Sequence, residues 1–210
     1  MYEPPLHRED DLARQHALIQ ARRLGLLISH GPQGLIANAV PFLLDRAASK
    51  LGTLKAHVAR ANPQWRDLQA SPEALVVFQG ADHYVSPSWY QSKQETHKVV
   101  PTWNYVMVQA RGAARVIEDD EWLQRQIAAL TARQEASRDA PWAVGDAPPD
   151  FIALQRKAIV GIEIEITDIR GKWKTSQNRN AADRAGVVEG LEAIGDDAAE
   201  AMARLVRGDG

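Results

Sequence analysis

Four short clusters in the sequence combine polar side chains with aromatic neighbours, and they hold the groups best suited to chemistry. In the first, KAHVARAN, the alternation of a strand places Lys55 and His57 on one face, with Arg60 and Asn62 just beyond. Cations and amide donors grouped in this way suit an anionic or carbonyl-rich ligand. An ordinary solvent-exposed face explains the pattern about equally well, so both interpretations stay open.

The second cluster is SPSWYQSK, in which Ser86 at a cap position, followed by a proline, predicts the start of a helix. A helix start exposes unpaired backbone N–H groups and a partial positive charge that suit a phosphate, and the hydroxyl of Ser88 adds a donor. Trp89 and Tyr90 fall in the first turn. The alternative is a serine that only caps a short helix, but the adjacent aromatic residues favour a ligand site.

The third cluster, VPTWNY, places two aromatic side chains on one face of a predicted strand. Trp103 and Tyr105 share that face, and Asn104 lies on the other. A face of this kind is most often core or an oligomer interface. It also makes a suitable wall for a planar ring.

The fourth cluster, GKWKTSQNRN, follows the last long predicted strand and contains Lys174, Gln177 and Arg179. A dense polar run is more often a solvated loop, yet its amides and cations also suit the closing of a pocket from the side. Together the four clusters indicate a ligand with an anionic end and a flat, hydrogen-bonding ring. A flavin mononucleotide (FMN) fits this description, whereas a nucleotide or a haem fits it less specifically.

Composition argues against several classes of protein. The 210 residues include 25 lysines and arginines against 27 aspartates and glutamates, so no broad basic field supports direct DNA binding. Cysteine is absent, and the scattered histidines show no metal-ligand spacing, so neither a disulfide nor a metal site is expected. The polar start of the chain lacks the apolar core of a signal peptide, and no run reaches membrane-spanning length. These features predict a soluble cytoplasmic protein.

Hydrophobic periodicity predicts a mainly β fold with peripheral helices. Helices are predicted over 10–23 and 119–138, with a short helix after Asn62-Pro63 and another before residue 158. Strands are predicted over 24–30, 35–45, 51–59, 73–80, 83–86, 103–117 and 158–169. The first two strands, and the fourth and fifth, are joined by short turns that predict antiparallel hairpins. Gly112 within the longest strand indicates the bend of a barrel strand, so an antiparallel barrel is expected.

The motifs GTLKAHVARANPQW, FQGADHYVSPSWY, VPTWNYVMVQARG and KTSQNR resemble the PaiB-type FMN-binding negative transcriptional regulator family, over residues 1 to 180. The resemblance implies a flavin-binding split β-barrel, related to pyridoxamine-phosphate oxidases and flavin reductases, with FMN at the interface of a homodimer. It also implies that the residues named above in the first two clusters lie near the flavin. Trp103, Asn104 and the loop from Lys174 to Arg179 would come from the partner subunit. The family usually has leucine or methionine where this chain has Thr175.

These observations predict one FMN-binding domain over 1–180 with inserted helices, and a helical or partly flexible tail over 181–210. Weak amphipathic runs at 182–194 and 196–207 support helices in the tail. Three functions stay open. The first is a regulator that acts indirectly, through its flavin or a partner protein; the second is an FMN-dependent oxidoreductase or flavin reductase. The third is a cofactor-free dimeric interaction module. No residue is a committed acid, base or nucleophile, so no catalytic residue is assigned.

Overall fold

The computed structural model describes residues 1–32 and 34–208, and its main feature is an antiparallel β-sheet. The strands are β1 (Arg8–Glu9), β2 (Leu24–Gly31), β3 (Gly34–Pro41), β4 (Leu43–Asp45), β5 (Thr53–Ala59), β6 (Glu73–Val85), β7 (Thr102–Ile117) and β8 (Ile159–Lys174). Their order is β3-β2-β6-β7-β8-β5-β4, and β1 pairs with β8. The β2–β3, β2–β6, β4–β5, β5–β8 and β1–β8 pairs are antiparallel. The short turn after β2 predicts the first of these pairings.

The helices lie between and after these strands: α1 (Leu12–Ala21), α2 (Gln64–Ala70), α3 (Ser92–Thr96), α4 (Asp120–Glu135), α5 (Pro149–Lys157), α6 (Ala181–Glu192) and α7 (Asp197–Arg207). The predicted helices over 10–23 and 119–138 are confirmed as α1 and α4, each slightly shorter than expected. The carboxylate of Asp119 caps α4 by accepting a hydrogen bond from the N–H of Trp122 at 2.7 Å. The predicted turn between the first two strands includes Gln33, which lies outside the described residues.

One predicted hairpin is wrong. Residues 73–80 and 83–86 were expected to form two strands joined at Ala81-Asp82, but β6 runs without a break from Glu73 to Val85. A two-residue hairpin turn needs residues that accept a positive φ, such as glycine or asparagine, and neither Ala81 nor Asp82 adopts one. Without a turn-forming pair, the alternating pattern simply continues as one long strand.

Two strand bounds also differ from prediction. The expected strand over 35–45 divides into β3 and β4 at the buried Phe42, whose N–H donates to the carbonyl oxygen of Arg23 at 2.8 Å. β8 continues to Lys174, five residues past the predicted end at 169. The extension matters because it carries two lysines of the fourth cluster into regular strand geometry.

The chain divides into two compact units. The first unit contains residues 1–15, 79–108 and the chain from residue 170 onward; the second contains residues 16–78 and 109–169. The strands β6, β7 and β8 each contribute one segment to each unit. The predicted domain boundary at residue 180 stays a prediction.

The second unit has a core of aliphatic and aromatic side chains from β2, β5, β6 and β8. Phe42 and Phe78 meet edge to face, with ring centroids 5.9 Å apart and planes at 75°. In the same unit Gly112 permits a close backbone approach, since a Cβ at this position would lie 1.9 Å from the carbonyl oxygen of Glu165. Its presence inside a long strand therefore has a packing cause.

The first unit has its own apolar cluster. Buried members are Val85, Tyr90, Val187, Leu191, Ala199, Met202, Ala203 and Val206. Most of them come from α6 and α7, so the runs predicted over 182–194 and 196–207 do form helices, and these helices supply core. Among the described residues, no helix is long and apolar enough to cross a membrane.

Candidate functional site

Three cations lie close together where β8 ends in the first unit. Lys172 and Lys174 are two residues apart in this strand and therefore share a face, and Arg179 follows in the next turn. Lys172 is buried, with 7% of its surface exposed, and its Nζ donates to the carbonyl oxygen of Tyr2 at 3.0 Å. The ring centroids of Tyr2 and Tyr105 lie 5.3 and 5.1 Å from the same nitrogen. Lys172 is therefore stabilised by a carbonyl and two aromatic faces.

Lys174 is held by two oxygen atoms of β7. Its Nζ donates to the carbonyl oxygen of Trp103 at 2.6 Å and to the hydroxyl of Thr102. Desolvation lowers the pKa of Lys174, and the charges of Lys172 and Arg179 lower it further. Within the described residues none of the three cations contacts a carboxylate. The cluster is electrostatically suited to an anion.

Beside these cations, Asn104 has one free hydrogen-bonding atom. Its side chain is 1% exposed, and its Nδ2 donates to the hydroxyl of Ser176 at 2.9 Å. Its Oδ1 has no partner. Ser176 itself has a φ of +64°, a conformation that non-glycine residues rarely adopt. Strained backbone and an unpaired buried amide atom are features that gather at functional sites.

Gln177 fixes the turn that connects Lys174 to Arg179. Its Oε1 accepts from the N–H of Thr175 at 2.8 Å and lies 3.1 Å from Nδ1 of His7. Its Nε2 donates to the carbonyl oxygen of Trp173. Both ends of this amide are thus directed at the protein, and Thr175 takes part through its backbone.

The helix start predicted at Ser86 is confirmed in its cap but not in its length. Ser86 accepts a hydrogen bond from the N–H of Ser88 at 3.2 Å, and the following proline occupies the first helical position. The element is a single 3-10 turn over Pro87–Trp89. So short a turn has few aligned peptide dipoles, which removes the dipole part of the phosphate argument. A role for the two serines at a phosphate stays a prediction.

The aromatic residues of the first unit fall into two groups. Tyr90 is 2% exposed, its hydroxyl has no partner, and the guanidinium carbon of Arg179 lies 4.2 Å from its ring centroid. Trp103 and Tyr84 are instead 53% and 42% exposed, with ring centroids 6.1 Å apart and planes at 72°. The prediction that Trp103 and Tyr105 share a face is consistent with burial along β7, where both are less buried than Asn104 between them.

The residues of the first cluster lie in the second unit, on and just after β5. Lys55 pairs with Asp45 at 2.8 Å, and this hydrogen bond is the main cause of the lowered pKa of that carboxyl. His57 Nδ1 lies 2.7 Å from Oε1 of Gln126. Lys55 and Gln126 also line a cavity of about 390 Å³ in this unit.

Arg60 and Asn62 have partners too. Arg60 contacts Glu118 at 2.5 Å and donates to the carbonyl oxygen of Lys157 at 3.0 Å. Asn62 Oδ1 accepts from the N–H of Gln64 at the start of α2, at 3.0 Å. Each predicted residue of this cluster therefore has a structural partner inside the second unit.

The structure adds three residues to the first unit's site. Lys172 and Ser176 belong to the fourth cluster but were not singled out as cofactor-binding, and Asp183 was not predicted at all. The two-residue spacing to Lys174 was a usable signal for Lys172, once the strand is known to extend that far. The hydrogen-bond partners of Ser176 and Asp183 gave no signal, because they lie 72 and 91 residues away in the chain.

Residues 1–168 match the model of a protein family described as "Putative FMN-binding domain". The chain belongs to this FMN-binding family. Membership confirms the predicted cofactor, and it argues against a cofactor-free interaction module.

Two relatives of this member of the FMN-binding family extend over nearly the whole chain. The Bacillus subtilis Protease synthase and sporulation protein PAI 2 is 32% identical over 206 residues, which cover 98% of this chain and 96% of the relative. The Emericella nidulans protein AN0679 is 36% identical over 242 residues, covering 99% and 96% respectively. The first of these relationships confirms the PaiB-type resemblance.

A solved structure supports the fold of the FMN-binding family member. The FAD and Heme binding protein from Mycobacterium smegmatis superposes with a TM-score of 0.61, over 85% of this chain and 79% of that chain. The sequences are 19% identical, so the likeness is one of fold. The predicted flavin-type split β-barrel is confirmed.

Proposed function

We propose that FMN binds at the first unit, with its phosphate at Lys172, Lys174 and Arg179. The observation that carries this proposal is that three neighbouring cations have no carboxylate partner among the described residues. A phosphate monoester carries a charge of about −1.5 to −2 near pH 7 and three acceptor oxygens. Such a group would offset the desolvation, and the repulsion by Lys172 and Arg179, that lower the pKa of Lys174.

The same unit has groups suited to the flavin ring. The exposed face of Trp103 with Tyr84 suits a planar aromatic system, and the unpartnered amide atom of Asn104 suits a polar ring edge. The proposed site of the first unit also includes the other residues predicted there: Ser86, Ser88, Trp89, Tyr90 and Gln177. Tyr90 and Gln177 contribute chiefly by holding the polypeptide in place. Bound FMN would supply electron or hydride transfer, which no side chain of the protein supplies.

The second-unit residues Lys55, His57, Arg60 and Asn62 belong to the proposal as a separate set. Their hydrogen bonds and ion pairs support a structural role for each in the free protein. A ligand that contacts them would have to compete with those partners. We therefore expect substitutions here to change stability at least as much as flavin affinity.

The proposed biological role is regulation that acts through the flavin or a partner protein. The name of the Bacillus subtilis relative refers to protease synthesis and sporulation. A net charge of −2 supports an indirect role, because proteins that bind the DNA backbone without a partner use excess Lys and Arg. DNA retention that survives physiological salt would contradict this part of the proposal.

We also propose that the protein forms a homodimer with the flavin at its interface. The support is the exposed aromatic pair of the first unit, since large aromatic residues are enriched at protein interfaces. The family resemblance implies the same assembly.

FMN titration, followed by quenching of flavin fluorescence, tests the proposed site. We expect Lys174→Met and Arg179→Met to weaken FMN binding by roughly 10- to 100-fold, because a hydrogen bond to a charged group contributes about 1.5–3 kcal/mol. Riboflavin, which lacks the phosphate, should lose little affinity. Lys98→Met is the matched control, since Lys98 is an exposed lysine of the same unit.

Unchanged FMN affinity in both variants would place the phosphate elsewhere and overturn the proposed site. A second measurement separates regulator from enzyme. Reduction of bound FMN by NADH or NADPH, faster than that of free FMN, would favour an oxidoreductase over an indirect regulator.

A further inference from the structure

The helices α6 and α7 pack against the segment that carries Ser86 to Ser92. Their apolar faces enclose the buried ring of Tyr90 and the end of β6 at Val85. The family match ends at residue 168, so family membership assigns no role to this helix pair. Its contacts nevertheless lead directly to residues of the proposed flavin site.

Two glycines of α6 bring the helix close to Trp89. A Cβ at Gly186 would lie 1.9 Å from the carbonyl oxygen of Trp89, and a Cβ at Gly190 would lie 2.4 Å from its ring. Glycine in a helix interior costs about 1 kcal/mol relative to alanine, so its use twice on one face needs a packing reason. The reason here is that the Trp89 side chain and backbone occupy the space that the two side chains would fill.

A buried carboxylate joins the same two segments. Asp183, in the first turn of α6, is 2% exposed, and it accepts hydrogen bonds from the N–H of Ser92 at 2.9 Å and from its hydroxyl at 2.8 Å. Its own N–H donates to the Asn180 cap of α6 at 2.8 Å. Both carboxylate oxygens are therefore used, and both hold the chain immediately after the Ser86–Tyr90 motif.

The start of α6 also fixes Arg179. This residue directly precedes the Asn180 cap, and its guanidinium lies over the ring of Tyr90, which the helix pair keeps buried. A single packing arrangement thus sets the position of Arg179 on one side and of residues 86–92 on the other.

We propose that the α6–α7 helix pair is a positioning element of the flavin site, and that Asp183 is the residue through which it sets Arg179 relative to the Ser86–Ser92 segment. This inference rests on the proposed function, because it assumes that Arg179 binds the FMN phosphate. Asp183 contacts no ligand in this scheme. It acts by holding two ligand-binding segments in register.

The test compares FMN with riboflavin in the full-length protein, using Ser92→Ala and Asp183→Ala. Ser92→Ala removes one of the two hydrogen bonds to the carboxylate, and Asp183→Ala removes both. We expect FMN affinity to fall by about threefold in Ser92→Ala and by about tenfold in Asp183→Ala, because the loss of one ordinary hydrogen bond costs a factor of roughly three or more. Riboflavin affinity should change little in both variants. The ratio of the two dissociation constants is the decisive readout, since a general loss of structure would weaken both ligands alike.

Asp183→Asn serves as the conservative variant, because an amide keeps one acceptor for the Ser92 N–H and should restore most of the FMN selectivity. Glu200→Gln, on the exposed face of α7, is the matched control and should bind FMN as the unchanged protein does. If Asp183→Ala fails to fold, Ser92→Ala carries the test, since it keeps the backbone hydrogen bond to Asp183.

The outcomes separate this inference from the proposed site. Weaker FMN binding in Lys174→Met together with unchanged selectivity in Ser92→Ala and Asp183→Ala would overturn the inference and leave the site standing. Equal losses for FMN and riboflavin would reduce Asp183 to a purely structural role. Unchanged FMN binding in Lys174→Met and Arg179→Met would remove the proposed site, and the inference with it.

Discussion

Lys174 is the residue whose surroundings are hardest to explain by folding alone. Its ammonium group is partly desolvated and lies near two further cations, and its contacts in the protein are a hydroxyl and a backbone carbonyl. Lys172 has the compensation of two aromatic rings, whereas Lys174 has neither a ring nor a carboxylate partner among the described contacts. A lysine kept in this state costs stability in the free protein. A bound anion would stabilise the charged ammonium group, and this stabilisation would contribute to the affinity for the anion.

This reasoning predicts a pH dependence of FMN binding. The pKa of Lys174 in the free protein lies below its ordinary value of 10.5, and a bound phosphate favours the charged form and raises it again. Binding should therefore take up protons at alkaline pH. FMN affinity should stay constant from about pH 8, where the phosphate is almost fully ionised, and should fall as the pH rises through the pKa of Lys174 in the free protein.

Isothermal titration calorimetry in two buffers of different ionisation enthalpy measures the proton uptake directly. The Lys174→Met variant provides the control, because its weaker binding should not change with pH over the same alkaline range. A pH profile that is the same in both proteins would show that a group other than Lys174 titrates.

At the scale of the elements, the long strands depend on close backbone contacts that sequence patterns indicate only indirectly. Gly112 in β7 is the clearest case. Its neighbour is the backbone carbonyl of Glu165 on β8, so an added side chain cannot be accommodated by a rotamer change. The glycine was identified in the sequence as a sign of a bend, and the structure gives it a second, more demanding reason.

We predict that Gly112→Ala destabilises the protein strongly. A Cβ placed 1.9 Å from an oxygen atom requires the strands to move apart, and overpacking of this kind typically costs about 1–3 kcal/mol or more. Urea unfolding followed by circular dichroism measures the change. Gly145→Ala is the matched control, because no atom lies within 4 Å of a Cβ there, and its stability should change by less than about 0.5 kcal/mol. Equal stabilities would mean that the strands separate at negligible cost.

Much of the strand and helix arrangement was predictable from local signals. Alternating hydrophobic residues indicated β2, β5, β7 and β8, and the acidic cap of α4 marked its start. The hairpin predicted around Ala81-Asp82 is wrong because the pair contains no glycine or asparagine, and neither residue adopts the positive φ that a two-residue turn needs. The α6–α7 pair was indicated by its amphipathic runs, and its buried face is apolar, with Val187, Leu191, Met202 and Val206. The close approach of α6 to Trp89 was harder to predict, because it depends on which segment lies against Gly186 and Gly190.

Part of the site was also predictable from local signals in the sequence. Lys174, Asn104 and Arg179 were found because polar and aromatic residues occur together in short motifs. The pairing of Ser176 with Asn104, and the whole role of Asp183, were not predicted, because they depend on hydrogen bonds to residues that are distant in the chain. Such pairings depend on which strands and helices become neighbours, and a single sequence carries no direct signal of that.

At the scale of the whole molecule, charge gives little guidance to partners, whereas exposed aromatic surface gives more. Positive and negative residues nearly balance, and most ion pairs have substantially exposed partners, so they contribute little to stability. The exposed pair of Trp103 and Tyr84 is different, because removing large aromatic rings from water stabilises a complex much more than an exposed ion pair does. A second copy of the chain is the partner that we propose for this surface.

The corresponding prediction is that Trp103→Ser shifts the protein from dimer to monomer. Removing an aromatic anchor at the centre of an interface commonly costs about 2 kcal/mol or more, which raises the dissociation constant by a factor of roughly 30. Sedimentation velocity over a range of protein concentrations measures the shift. Leu154→Ser, at an apolar side chain 62% exposed on α5 in the second unit, is the control and should leave the dimer intact.

Since FMN is proposed to lie at the interface, its addition should favour the dimer of the unchanged protein more than that of Trp103→Ser. A dimer of unchanged affinity in Trp103→Ser would exclude this face from the interface, and a monomer at every concentration of the unchanged protein would exclude the dimer itself.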